Sequence, residues 1–324
     1  MLQRTLHIEL AQAHQSKGDM MSEVTNLRED IKKDGFSPVE IDLGGDDLAD
    51  AMKKYMTFLQ LDEKHHDSTR FCLTNRGDGD YGQYTRVAGS SSVRGTVPDD
   101  KDIFHFGAQT RQVVESRLRG NVPQAMSEFL DAAEHIYWAA QRSKNRALED
   151  LDHWQMGITD VMSPELSHLN DVLRFIAYYP NPGNLAKGHF DRGVSTLAIG
   201  ESHAGLRLAA GQNGAEFDCS EQYMHKLELS LKPVNHEFHE AKFFLGAGWN
   251  RLPHQYRLGN TELPLGYHDV IANEESVDDV VKRWAIVMFS NPHIGFEGYT
   301  VPTPPETRPY KQLGKITTES LIAA

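Results

Sequence analysis

Residues 188–209 of the 324-residue chain read GHFDRGVSTLAIGESHAGLRLA. The stretch contains three short β-like runs, Gly188–Gly193, Ser195–Ile199 and Leu206–Ala209. Glycine, serine and other polar residues separate the runs and favour turns between them. Residues two apart on a strand point to the same face, so His189 and Asp191 place an imidazole and a carboxylate side by side. That pair suits a divalent metal, although an isolated His-x-Asp is also typical of a solvent-facing edge strand.

The same pattern of short β-like runs separated by turn residues continues through the C-terminal half of the chain, after Pro164. The further candidate strands are Val172–Tyr179, His225–Leu231, Glu240–Leu245, Leu263–Ile271 and Arg283–Phe289. Short strands at irregular spacing, with Gly, Pro and Asn between them, favour a β-sandwich or an open barrel over βαβ units. We therefore predict an α+β protein with a mainly β core.

The N-terminal half is different, because its apolar residues recur at three- and four-residue steps that predict helices packed on one face. The predicted helices are Met20–Asp34, Leu48–Leu61 and Pro123–His153. Residues 75–95 form a polar, glycine-rich insert, which is either a surface loop or a loop that faces a substrate. We expect a single domain over residues 1–324, with a helical jacket (1–160), a β core (165–295) and a C-terminal extension (296–324).

Composition narrows the choice of partners and compartment. The chain has 46 acidic and 33 basic side chains, a net charge of −13, which disfavours nucleic acid and anionic membranes. Cys72 and Cys219 lie at no metal-ligand spacing, and the N-terminus lacks the apolar segment of a secretory signal. We expect a cytoplasmic protein, a monomer or weak homodimer, that acts on a small molecule.

His268 is the best candidate to complete a metal site with His189 and Asp191, because it lies on a β-like run. Two histidines and one carboxylate form the facial triad with which non-haem Fe(II) keeps open coordination positions. The next strand opens with Arg283, a lone cation that requires a partner anion and offers a bidentate fork for a carboxylate. His254 is the rival third ligand, but Pro253 before it favours a loop.

The order of these elements resembles the Fe(II)/2-oxoglutarate-dependent dioxygenases of the isopenicillin N synthase-like superfamily. The matching elements are Tyr178-Tyr179-Pro180, His189-x-Asp191, Gly205-Leu206-Arg207-Leu208, His268-x-Val270 and Arg283-x-Ala285. The resemblance covers residues 172–292, and residues 102–107 are similar to the family's run ahead of its long helix. It implies a double-stranded β-helix, the jelly roll, in agreement with the strand texture.

The resemblance also implies a role for each matching residue. His189, Asp191 and His268 would hold Fe(II), while Arg283 and Tyr179 would bind the distal carboxylate of the co-substrate 2-oxoglutarate. Ala285 stands where the family usually has a serine, which removes a hydroxyl donor worth about 1 kcal/mol. The gap from His268 to Arg283 is longer than usual and holds an acidic segment that we predict to be a hairpin insertion.

Arginines near the predicted iron suggest the class of substrate. Arg174 and Arg207 lie on predicted strands that we expect to line the barrel, Arg192 follows the metal motif, and Arg94 lies in the polar insert. In an acidic chain these cations favour a carboxylate-bearing metabolite, such as an amino acid or a peptide-like intermediate of specialised metabolism. Dioxygen chemistry at the iron would give hydroxylation, desaturation or cyclisation.

Two other functions remain open. The chain could be an oxidative cyclase that uses the same iron triad without 2-oxoglutarate, or a non-catalytic β-barrel that binds a metal or a ligand.

Overall fold

The structure is a computed structural model that describes residues 26–61, 84–87, 101–108, 110–152, 158, 162, 171–179, 184–211, 221–237, 239–252, 254–257, 259–271, 281 and 283–291. In these residues the helices are α1 (Leu27–Asp34), α2 (Gly45–Leu59), α3 (Thr110–Arg117), α4 (Gln124–Leu151) and α5 (Glu221–Ser230). The strands are β1 (Ser37–Glu40), β2 (Tyr84–Val87), β3 (Lys101–Phe106), β4 (Val172–Tyr178), β5 (Asn184–Phe190), β6 (Ser195–Glu201), β7 (Leu206–Ala210), β8 (Lys232–Pro233), β9 (Glu240–Leu245), β10 (Gly266–Ile271) and β11 (Arg283–Ser290). Two 3-10 helices cover Ala247–Arg251 and His254–Arg257.

The strands form two antiparallel sheets. The large sheet has seven strands in the order β1-β9-β6-β11-β4-β3-β2, and the small sheet has four in the order β5-β10-β7-β8. One buried apolar cluster contains residues of both sheets, including Ile176, Ala198, Leu206, Leu208, Val270 and Ala285. The sheets therefore face each other across a shared interior, the arrangement of a jelly roll. We call the space between them the barrel interior.

Helices cover the opposite face of the large sheet. The buried residues of α4 recur at three- and four-residue steps, and α2 packs beside it on the same apolar cluster. Phe129 of α4 lies between Tyr55, Phe58, Phe104 and Phe175, with ring centroids 4.9–5.3 Å away. Burial of these rings fixes the helices on the sheet. None of the helices in the described ranges combines the length and the apolar character that crossing a bilayer requires.

A buried ion pair connects α4 to the start of β4 and to the end of β11. Lys144 Nζ lies 2.5 Å from Asp171 Oδ2, with side chains 1% and 0% exposed. Gln141 Nε2 donates to the same oxygen at 2.8 Å, and the Asn291 backbone amide donates to Asp171 Oδ1 at 3.2 Å. Lys144 also donates to the Met162 carbonyl at 3.0 Å. Asp171 therefore ties α4 to the start of β4 and to the end of β11.

Most predicted elements are confirmed, and the differences have physical causes. The strand predicted at His225–Leu231 is wrong, because residues 221–230 form helix α5. Leucines at every second position suggested the strand, yet Leu227 is buried while Leu229 is 76% exposed. The residues before 160 also contribute β1, β2 and β3, which the sequence did not predict. β1 is a short edge strand with a proline, which carries almost no strand signal.

Candidate metal centre

The structure brings His189, Asp191 and His268 together on the small sheet. Strands β5 and β10 are antiparallel neighbours, and their register sets His189 opposite His268. Asp191 directly follows β5. One ligand atom from each residue can be chosen so that all three lie within 4.8 Å of one another. His189 Nε2 is 3.6 Å from Asp191 Oδ1, and His268 Nε2 is 3.7 Å from Asp191 Oδ2.

Backbone carbonyls orient both imidazoles. His189 Nδ1 lies 2.6 Å from the Lys187 carbonyl oxygen, and His268 Nδ1 lies 3.4 Å from that of Gly266. A carbonyl oxygen only accepts, so each Nδ1 carries the proton and donates it. Each Nε2 is left with its lone pair beside Asp191, as a metal ligand requires.

The ionisation of the cluster also suits a cation. Burial by itself would raise the pKa of Asp191, but the imidazoles of His268 and His189 and a hydrogen bond from Thr196 outweigh it and hold this pKa well below its usual range. The Thr196 hydroxyl donates to Asp191 Oδ2 at 2.7 Å. Burial lowers the pKa of His268 to about 4. At neutral pH the cluster therefore presents a carboxylate and neutral imidazole, the forms that bind metals.

One side of the cluster is accessible. The His189 side chain is 46% exposed, whereas those of Asp191 and His268 are below 10%. The Phe244 ring packs 5.1 Å from the His268 ring and closes the buried side. Three protein ligands with one accessible side can hold a divalent metal and leave coordination positions for other molecules.

Arg283 lies deeper in the barrel interior. It begins β11 with a side chain 2% exposed, and its guanidinium is 5.5 Å from the Tyr178 ring centroid. Gly205 borders it so closely that an added Cβ would lie 3.0 Å from Arg283 Nε. Because the Gly205 carbonyl accepts from the Ile271 amide, Arg283 adjoins the far end of β10. His268 is three residues along β10, a separation of about 10 Å.

Glu201 is an interior residue that the sequence pattern did not reveal. Simple alternation along β6 places Thr196 and Ala198 in the interior and would direct Glu201 toward the helices. The register between β6 and β11 shifts between Ile286 and Val287, so the alternation changes by one residue after Ala198. Gly200 then faces α2, and Glu201 faces the interior opposite Ala285, where its carboxylate forms an ion pair with Arg283.

Tyr179 does not lie where the resemblance implied. Its hydroxyl donates to Asp102, and its ring packs against the cluster beneath the helices. Tyr178, one residue earlier, is part of the interior cluster and lies beside Arg283. The cause is the strand alternation of β4, which directs neighbouring residues to opposite faces. Tyr178 therefore replaces Tyr179 as the tyrosine next to Arg283.

Arg174 is the predicted substrate arginine that lies on the interior face of the large sheet. It shares the face of Ile176 and Tyr178 on β4, two and four residues away. Its Nε donates to His105 Nε2 at 2.7 Å, and its guanidinium stacks 4.4 Å from the Phe289 ring centroid. These contacts fix the guanidinium near the row of Thr196, since Phe289 pairs with Thr196 in the sheet register.

The other predicted substrate arginines are placed differently. Arg207 forms a bidentate ion pair with Asp269, at 2.9 and 2.5 Å, on the outer face of the small sheet. Its neighbours in sequence, Leu206 and Leu208, face the interior, so the prediction that Arg207 lines the pocket is wrong. Arg192 has an exposed side chain. Arg94 lies outside the described residues.

Two further sequence predictions concern the region between β9 and β11. His254 begins the second 3-10 helix, outside the strands that carry the cluster, while His268 occupies the predicted place. The acidic hairpin predicted between His268 and Arg283 lies outside the described residues, as does the polar insert apart from β2.

Replacement of Gly188 by alanine is expected to destabilise the fold by about 1–3 kcal/mol, because it overpacks the small sheet. A Cβ at Gly188 would lie 2.1 Å from the hydroxyl of Tyr267, which is fully buried on β10. Urea denaturation checks this result, with Gly120→Ala as a control at a site where a Cβ meets no atom within 4 Å, although its φ is +78°. Equal stability of the Gly188 variant and the parent would contradict the close packing.

Comparison with known proteins supports the fold. No family model matches the sequence, and no curated protein matches it significantly. Among solved structures, a putative 2OG-Fe(II) oxygenase family protein from Caulobacter crescentus has 17% identity, a TM-score of 0.58 and coverage of 92% of this chain and 90% of that one. The dioxygenase for auxin oxidation 1 from Arabidopsis thaliana, as a 2-oxoglutarate complex, has 15% identity and a TM-score of 0.54, with coverage of 85% of this chain and 91% of that one. Neurospora crassa T7H in complex with alpha-KG has 15% identity and a TM-score of 0.52, with coverage of 82% of this chain and 77% of that one.

These likenesses show that the chain has the fold of 2-oxoglutarate/Fe(II) oxygenases. The predicted jelly roll with flanking N-terminal helices is confirmed.

Proposed function

We propose that the chain is an Fe(II)/2-oxoglutarate-dependent dioxygenase that oxidises a small, carboxylate-bearing metabolite. The observation that carries the proposal is the cluster of His189, Asp191 and His268 on the small sheet, with its ionised carboxylate and one accessible side. The shared fold supports it, since three of the similar structures are named as oxygenases or dioxygenases of this class or contain the co-substrate.

The residues fit both iron and 2-oxoglutarate. Two imidazole nitrogens and one carboxylate are the donor set of non-haem Fe(II) sites with open positions. For the co-substrate, Arg283 Nη1 is buried and lacks a hydrogen-bond partner within the described parts of the chain. Such a buried donor requires an acceptor, and a carboxylate is its best match. Ala285, whose side chain is small, faces the same space.

Each interior residue then has a task. His189, Asp191 and His268 would hold the metal on one face, while Arg283 and the adjoining Tyr178 would bind the distal carboxylate of 2-oxoglutarate. Thr196 keeps Asp191 ionised and oriented by its hydrogen bond. When iron and the co-substrate are bound, reaction with dioxygen supplies the oxidising power for attack on a substrate C–H bond. Hydroxylation, desaturation and cyclisation are all compatible with this arrangement.

Anaerobic titration tests the proposal directly. Fe(II) and 2-oxoglutarate added together are expected to give the weak visible charge-transfer band of a chelated complex. Absence of that band, with protein that remains folded, would contradict the proposal and leave the oxidative cyclase and the non-catalytic binding barrel as the alternatives. Turnover with one succinate per product is expected once a substrate is found.

One observation favours a second candidate, an oxidative cyclase that uses the iron triad without 2-oxoglutarate. The anion partner of Arg283 in the structure is the chain's own Glu201. Product formed without succinate would support the cyclase and contradict the first proposal.

Replacement of Arg174 by methionine is expected to weaken binding of the carboxylate-bearing substrate at least about tenfold, the value of a lost charge-assisted hydrogen bond. A thermal-shift screen of the Mn(II)-loaded protein against amino acids and their N-alkylated derivatives identifies ligands, and titration then compares the variants. Arg207→Met is the matched control, because Arg207 pairs with Asp269 on the outer face. Equal loss in both variants would contradict a specific role for Arg174.

A further inference from the structure

We propose that Glu201 is a specificity-determining residue that weakens binding of the co-substrate by neutralising Arg283. This inference rests on the proposed function and concerns one ion pair. Arg283 and Glu201 are in contact, with side chains 2% and 5% exposed, in the barrel interior.

The backbone is shaped to form this pair. Without the register shift in β6, Glu201 would face the helices, on the side where Gly200 meets Leu48. The register shift, a β-bulge, instead turns the Glu201 carboxylate toward Arg283, the first residue of β11. The Arg283 Nε also donates to the His203 carbonyl at 3.2 Å, which holds the guanidinium in place. The guanidinium is therefore held beside Glu201 before any ligand enters.

The charges of Arg283 and Glu201 cancel, which disfavours binding of a second carboxylate at this position. The guanidinium carries one positive charge, and Glu201 already balances it. A distal carboxylate of the co-substrate would bring a net negative charge into a buried site, which is costly. Lys101 Nζ lies 5.6 Å from the Tyr178 ring centroid. It begins β3, on the other side of β4 from β11, and Glu201 pairs with Arg283 and not with Lys101.

The consequence depends on the form of the ligand. A 2-oxo acid with a distal carboxylate places that negative charge next to the Glu201 carboxylate, which repels it. A 2-oxo acid that lacks a distal carboxylate places no second negative charge beside Arg283. Removal of the Glu201 charge is therefore expected to improve binding of the dicarboxylic acid only. The gain is about tenfold or more, the scale of one charge-assisted hydrogen bond.

Calorimetric titration of the full chain, loaded with Mn(II) and kept anaerobic, tests the inference. The variant is Glu201→Gln, which keeps the shape and removes the charge, and the probes are 2-oxoglutarate and 2-oxobutyrate. We expect the Kd for 2-oxoglutarate to fall about tenfold while that for 2-oxobutyrate stays the same. Glu240→Gln is the matched control, since Glu240 pairs with Lys242 at 2.7 Å on β9. If Glu201→Gln does not fold, Glu201→Asp retracts the carboxylate by one methylene and is expected to give a smaller gain.

The outcomes separate the two proposals. Unchanged or weaker 2-oxoglutarate binding by Glu201→Gln, with Mn(II) bound normally, overturns the role of Glu201 and leaves the metal centre standing. A parent chain that binds no Mn(II) overturns the proposed function itself. Equal tightening of both 2-oxo acids also overturns the inference, because the effect would not depend on the distal carboxylate.

Discussion

Replacement of Asp191 by alanine is expected to lower the affinity for divalent metal at least about 100-fold and to abolish oxygenase activity. Asp191 is the one carboxylate of the cluster, and both imidazoles lie within 4 Å of it. Its removal takes away the negative charge and one of three ligands, so only two imidazoles remain. Titration with Mn(II), followed by metal analysis after dialysis, measures the loss without requiring a substrate.

The control for this experiment is Asp42→Ala, which removes an exposed carboxylate 3.7 Å from Arg142. It is expected to leave metal affinity unchanged. Full metal binding by Asp191→Ala would show that the cation is held elsewhere and would contradict the assigned centre. Circular dichroism of both variants separates loss of the ligand from loss of the fold.

Replacement of Asp171 by alanine is expected to reduce the free energy of unfolding by about 3–5 kcal/mol, because it leaves the Lys144 ammonium buried and unpaired. The loss extends beyond the ion pair, since Asp171 also accepts from Gln141 and from the Asn291 amide. Denaturation in urea or guanidinium chloride, with the midpoint and the slope compared with the parent, gives the change.

Asp50→Ala is the surface control for this prediction. Asp50 pairs with Lys54 at 2.6 Å, but both side chains are partly exposed, and such pairs contribute about 0–1 kcal/mol. A difference of less than about 1 kcal/mol between the two variants would contradict the structural role of Asp171. A Lys144→Met, Asp171→Leu double variant is expected to recover much of the lost stability, because an apolar pair removes the unpaired charge.

The sequence predicted the parts of the molecule that depend on local pattern. The strands around His189, His268 and Arg283 alternate or run apolar without interruption, and the two-residue spacing of His189 and Asp191 sets their common face. The order of these elements identified the third ligand, and the structure places His268 opposite His189. Helix α4 was predicted because its stripe is long and regular.

The remainder depends on contacts that a sequence pattern does not encode. Tyr178 and Tyr179 have the same side chain, and only the pairing of β4 with its neighbours decides which one faces the interior. Glu201 reaches Arg283 through a bulge, which a strictly alternating strand would not have. One signal was present, since a lone acid ends one apolar strand and a lone cation begins another. β1 and β2 lie at the two edges of the large sheet, and each is a strand because it pairs with the neighbouring strand there.

The candidate metal ligands and the two interior arginines lie on opposite walls of the barrel. The small sheet carries His189, Asp191 and His268, and the large sheet carries Arg283 and Arg174. A metal and an anion bound at these positions would be held by different sheets, and the apolar residues packed between the sheets set the distance between them. A change of methyl groups among these residues would alter the distance between the two walls without changing any of the candidate ligand residues.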